Sequence, residues 1–131
     1  MSFDMWVQRF RDGEAGPMQA EAFNAVFGQY IDKVDPECSF FHLIAPDGGD
    51  ADVYARMLPE LDSVMISRFS NGQILDLVVE FARTTDAVIL PVGCATCVVD
   101  SNQIPHLPEE LQSPNRQVLS GSDLEAVIAE G

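Results

Sequence analysis

The chain opens on an alternation of apolar and polar positions. Over residues 3–10, Phe3, Met5 and Val7 fall on one side and Asp4, Trp6 and Gln8 on the other, the period-two pattern of a strand with one buried face. After the turn dipeptide Asp12-Gly13 the period changes. Pro17 stands at the first position of a predicted helix, and Met18, Phe23, Val26, Phe27, Tyr30 and Ile31 recur every three or four residues as one apolar stripe. Asp35-Pro36 closes that segment.

Two β-rich runs, residues 38–45 and 51–56, flank Pro46-Asp47-Gly48-Gly49-Asp50, whose glycines and acids suit a hairpin connection. Residues 63–69 read as a fourth strand. Ser70 with Gln73 three positions later has the form of a capping box before Ile74, Leu77, Val78 and Phe81, so a second helix is predicted to about residue 84. Residues 87–92 are continuously apolar, the signature of a strand buried on both faces or at the centre of a sheet. The proline-punctuated stretch 101–116 reads as a surface excursion with at most a turn of helix over 108–111. A possible strand at 117–119 and a second capping-box pattern, Ser122-Asp123-Leu124-Glu125, predict a small strand-helix tail.

The order β-α-β-β-β-α-β with that tail implies a single α+β domain over residues 1–131: a mainly antiparallel sheet with two main helices on one face. The other face stays partly solvated. Trp6, Gln8, His42, Asp52, Tyr54 and Arg68, at alternating strand positions, are expected to share it.

Composition sharpens the picture. A chain of 131 residues that is 47% hydrophobic holds one core and does not need a metal or a disulfide to fold. Its net charge of −14 is spread along the whole length, with 12 acids against 4 bases in residues 1–65 and 9 against 3 in the rest. Such a surface repels phosphate backbones and anionic headgroups, so nucleic-acid and membrane partners are disfavoured and a basic protein partner is favoured. The longest uncharged apolar run, residues 87–99, is broken by Pro91 and Gly93 and falls short of the ~20 residues a spanning helix needs. The opening lacks the cationic region of a secretory signal and reads as mature protein, and three cysteines are too few for a disulfide framework. A bacterial-style cytoplasmic protein is expected.

Candidate chemistry is sparse. Cys94-Ala95-Thr96-Cys97 has the spacing of a redox pair or half a zinc site, with His106, Cys38 and His42 as the further donors to weigh. The strand-like Val98-Val99-Asp100 behind it supplies no helix N-terminus to activate a thiolate, and the competing account is small buried residues at a strand end. Asp47, Asp50 and Asp52 resemble a calcium loop only in part, since the twelfth position is Leu58 where a glutamate is needed. With no triad order, phosphate loop or dinucleotide fingerprint, catalysis has no anchor and no cofactor or metal is expected. What remains is a surface. Residues 32–62 hold eight acids against Lys33 and Arg56, and a hairpin presenting Asp47, Asp50 and Asp52 near Tyr54 and Trp6 would set aromatic anchors in an acidic rim. An ordinary solvated acidic face is the rival reading. A small-molecule module is a third, and requires a pocket of about 300 Å³ or more lined by Trp6, His42 and Tyr54.

The opening residues 1–10 (MSFDMWVQRF) with Asp12-Gly13, together with residues 91–97 (PVGCATC), resemble a group of short uncharacterised acidic bacterial proteins that begin in the same way. That group is similar in size and acidity to immunity proteins, which neutralise bacterial toxins. The resemblance implies a non-enzymatic, immunity-like inhibitor of a basic bacterial protein, and assigns no residue a role. The alternative is a CxxC-dependent redox or zinc-binding protein.

Overall fold

The first strand, β1 (Asp4–Arg11), turns its apolar residues as the alternation requires: Met5 and Val7 are fully buried while Trp6 between them is exposed. Asp12 and Gly13, both at positive φ, fold the chain back into the short β2 (Glu14–Gly16). The structure, a computed structural model, describes residues 4–57 and 59–131; Phe3, expected on the inward side of the first strand, and Leu58 lie outside them. The remaining strands are β3 (Ile31–Asp35), β4 (Phe40–Ile44), β5 (Asp50–Ala55), β6 (Ser63–Ser67), β7 (Val88–Pro91), β8 (Thr96–Val98) and β9 (Asn115–Gln117). The helices are α1 (Ala20–Phe27), α2 (Gln73–Thr85) and α3 (Gly121–Glu130).

The fold is α+β with one mainly antiparallel sheet. Strands lie in the order β3-β4-β5-β6-β1-β7-β8-β9, with β2 against the far end of β1. Among the described residues only β8 and β9 run parallel. All three helices cover one face. Phe23 and Phe27 of α1 and Phe81 of α2 stack within 5.0–6.0 Å of one another over Met5, Val7, Leu43, Val53 and Ile66, and Leu124 and Val127 of α3 extend the same core. Edge-to-face and tilted rings at these spacings add to the apolar burial, which at about 25 cal/mol per Å² is what holds the helix layer down.

A second, smaller core lies on the opposite face. Val88, Val98 and Leu107, with Phe10, Leu90, Ile104 and Leu111, form it where the proline-rich excursion folds as two 3-10 turns (Ser101–His106 and Glu109–Leu111) over β7 and β8. Gln103 fixes that cover. Its buried side-chain oxygen accepts from the N–H groups of Val99 and Asp100, and its amide donates to Ala87 O and to Asp86. Strand β7 is therefore buried on both sides, as its apolar run predicts.

Several element boundaries differ from expectation. The first helix begins at Ala20, not at Pro17, because Met18 is taken up by a β-bridge to Leu61. It ends at Phe27; Gly28–Tyr30 tighten into a 3-10 turn and Ile31–Asp35 pair with β4 instead of continuing the stripe. The helical spacing of Tyr30 and Ile31 is thus fortuitous. Helix α2 is capped from another segment and not by Ser70: Gly72 is its N-cap at φ 91°, and the Asp47 carboxylate accepts from Gln73 N–H at 3.0 Å. Helix α3 is capped by Ser120, whose hydroxyl accepts from Asp123 N–H, two residues before the predicted box. The last strand is centred on Arg116, with Gln117 at its end.

Candidate functional site

The face opposite the helices is open over β3, β4, β5, β6 and β1, and pairing register decides which side chains meet there. Phe40 faces Tyr54, Tyr54 faces Met65, Met65 faces Trp6, and Trp6 faces Leu90, so one straight apolar rank crosses five strands. At a strand spacing of about 4.8 Å, the four positions from Phe40 to Trp6 span about 14 Å. Leu90, at the far end, is roofed by the smaller core. Trp6 is 41% exposed and Tyr54 38%, while Phe40 and Tyr54 rings lie 5.2 Å apart.

A polar rank runs beside it, two residues further along each strand. Lys33, His42, Asp52, Ser67 and Asp4 stand in register. Asp52 is almost fully buried and accepts from Arg68 Nε at 2.6 Å, a charge-assisted bond that keeps a buried carboxylate paired. Arg68 reaches it from a left-handed residue at the end of β6, φ 47°. Ser67 donates to Asp4 at 2.8 Å. His42 lies between two carboxylates, Nε2 2.8 Å from Asp50 and Nδ1 3.1 Å from Asp32. The hydrogen bond to Asp50 comes first among the causes that raise its pKa above the ordinary 6.5, and the same bond holds Asp50 below the usual carboxylate value.

The sequence-based interface residues divide accordingly. Trp6 and Tyr54 lie in one rank on the open face. Asp50 and Asp52 are engaged by His42 and Arg68. The Asp47 carboxylate turns to the helix layer, where hydrogen bonds from Gln73 N–H and then Gly49 N–H depress its pKa. Phe40 and Met65 escaped the sequence reading because partnership across strands depends on register, although the alternations Phe40-His42-Ile44 and Ser63-Met65-Ser67 already put them on this side.

A shallow hollow of about 260 Å³ opens beside the apolar rank, lined by Trp6, Tyr54, Met65, Ser63, Asp62 and Arg56 among others. It is smaller than a small-molecule pocket of about 300 Å³ or more, and His42 does not line it. One carboxylate, Asp62, and one guanidinium, Arg56, line the hollow together with the two aromatic residues.

Cys94 sits in the β7–β8 turn and Cys97 in β8, opposite Ile89. Cys97 is fully buried in the main core and burial pushes its thiol up to about 12, with the neighbouring Cys94 contributing; burial also raises Cys94. His106 is turned elsewhere, its Nδ1 accepting from Asp12 N–H at 3.2 Å, and Cys38 is exposed at the β3–β4 turn. Among the described residues no group of three or more His, Cys, Asp and Glu side chains is arranged to hold a metal ion. No helix among them is long and apolar enough to cross a membrane. No family model, curated protein or solved structure matches the chain.

Proposed function

We propose that this chain is a non-enzymatic protein-binding domain whose open sheet face receives a basic protein, in the manner of an immunity-like inhibitor. The observation that carries the reading is the in-register rank Phe40, Tyr54, Met65 and Trp6, left uncovered on a molecule of net charge −14. Aromatic and methionine side chains are the groups enriched at the buried centre of protein interfaces, and two exposed aromatic residues in one rank supply the anchors. The excess of acid over the whole surface steers a cationic partner toward them, and Asp62 offers a carboxylate beside Trp6 and Tyr54 for an arginine or lysine head. In the flanking rank the buried Asp52 is already paired with Arg68, so covering it leaves no unmatched carboxylate at that position.

The test compares immobilised wild-type chain with the Trp6→Ala/Tyr54→Ala variant in capture from a bacterial lysate, followed by titration of the purified captured protein. The reading expects a protein of basic pI that binds wild type at least about thirtyfold more tightly than the variant. It also expects affinity to fall as salt rises from about 0.05 to about 0.5 M. Equal binding by both chains, or a captured partner that is acidic and insensitive to salt, would remove the reading.

A further inference from the structure

The sheet ends at β3, whose outer edge pairs with no other strand among the described residues. Ala55 N–H donates to Ser39 O at 2.9 Å and Ala45 N–H to Gly49 O at 2.8 Å, so the odd-numbered residues of β4 hydrogen-bond toward β5. Its even-numbered residues, Phe40 and His42, therefore bond toward β3, where Asp35 and Lys33 are their partners. By the same alternation Val34 turns its N–H and C=O away from the sheet. Its side chain is 51% exposed on the helix side of the sheet, where Val34, Pro36, Phe41 and Met57 line an apolar hollow of about 320 Å³.

Edge strands are usually blunted by charge, and β3 carries Asp32, Lys33 and Asp35, with a register irregularity between Ile31 and Lys33. Asp32 is held by His42. Lys33 and Asp35, one on each side of Val34 and both on the open face, form no ion pair among the described residues. An antiparallel twofold centred on Lys33 would oppose two ammonium groups, and one centred on Asp35 would oppose two carboxylates. Centred on Val34, it sets each Lys33 opposite the other copy's Asp35 in a non-hydrogen-bonded pair, where side chains approach most closely. The two Val34 residues then exchange their free N–H and C=O groups and join the apolar hollows across the axis.

We infer that a second copy of this chain docks along β3 in that register, extending the sheet through a twofold axis. Each copy carries −14, yet at physiological salt a Debye length of about 8 Å limits the repulsion that matters to groups near the edge. A twofold perpendicular to the sheet leaves both open faces on the same side, so the dimer presents two apolar ranks together. The inference does not depend on what binds those ranks.

Sedimentation velocity on the full chain at about 0.15 M salt, from about 5 to about 200 µM, tests it, with circular dichroism to verify that each variant is folded. Wild type should pass from monomer to dimer over that range. Lys33→Asp and Asp35→Lys should each weaken the dimer about tenfold or more, and the double swap should return it to within about threefold of wild type. A wild-type chain that stays monomeric, single reversals that leave the dimer unchanged, or a swap no better than either single would overturn the inference.

Discussion

His42 is where the chemistry of the open face depends most on protonation. Both ring nitrogens face carboxylates, and only the imidazolium can donate to both. Its pKa is raised in the folded protein, so the stability it contributes is fully present below the unfolded value near 6.5 and is lost as pH rises through the folded value. The expected outcome is a thermal midpoint that falls as pH is raised above about 6.5, with that component absent in His42→Gln. Proton NMR of the ring checks the cause directly, since its titration midpoint should lie above 6.5. A midpoint at or below that value would separate His42 from its two neighbours. Cys97 gives the converse case of a group silenced by its surroundings. With its thiol near 12 and fully buried, it should resist alkylation in the native protein and react on unfolding, while exposed Cys38 reacts in both states. Mass spectrometry of the alkylated chain distinguishes them. Rapid native labelling of Cys97 would revive the redox reading. These fates are only half legible in the sequence: alternation puts His42 and Tyr54 on one face, but the carboxylates that hold His42 come from β3 and from the start of β5, and the apolar spacing predicts helix over the first of these.

Among the elements, α2 illustrates how a local pattern can be outcompeted by a partner distant in sequence. Ser70 and Gln73 had the spacing of a capping box, yet Asp47, 26 positions upstream of Gln73, supplies the carboxylate. Its approach needs Gly72. That residue lies at φ 91°, and a Cβ there would come within 2.6 Å of Asp47 Oδ2. Gly93 also has positive φ, 78°, but a Cβ there would meet open space. Gly93→Ala should therefore cost about 1 kcal/mol in backbone strain, and Gly72→Ala distinctly more because strain and displacement of the cap add. Urea denaturation midpoints compare the two, and equal costs would mean that Asp47 contributes nothing to the helix start. The first helix is present but shorter than its apolar stripe predicts, for a different reason. Residues 28–35 hold three apolar positions, Tyr30, Ile31 and Val34, in step with the α1 stripe, and only the pairing of Val34 with Phe41 and Asp35 with Phe40 makes the second half of them a strand. Propensity there is weak, and tertiary hydrogen bonding decides.

For the molecule as a whole, the fold class, the burial of β7 on both faces and the one-sided helix layer follow from the periodicities of the chain. The candidate surface follows from register, which no single strand contains. Ser63 opposite Gln8 and Ser67 opposite Asp4 fix β6 against β1, and that alignment brings Met65 to Trp6 and thus completes the rank. The hairpin acids Asp47, Asp50 and Asp52 are engaged in internal bonds, so the steering of the proposed cationic partner rests on the field of the whole surface. Hydroxyl-radical footprinting of the complex with the captured basic protein tests the central claim most directly. Trp6, Tyr54 and Met65 should be protected together, while Leu119, exposed in the connection between β9 and α3, keeps its free-state reactivity. Unchanged oxidation of Trp6 and Met65, with protection at Leu119 instead, would contradict it.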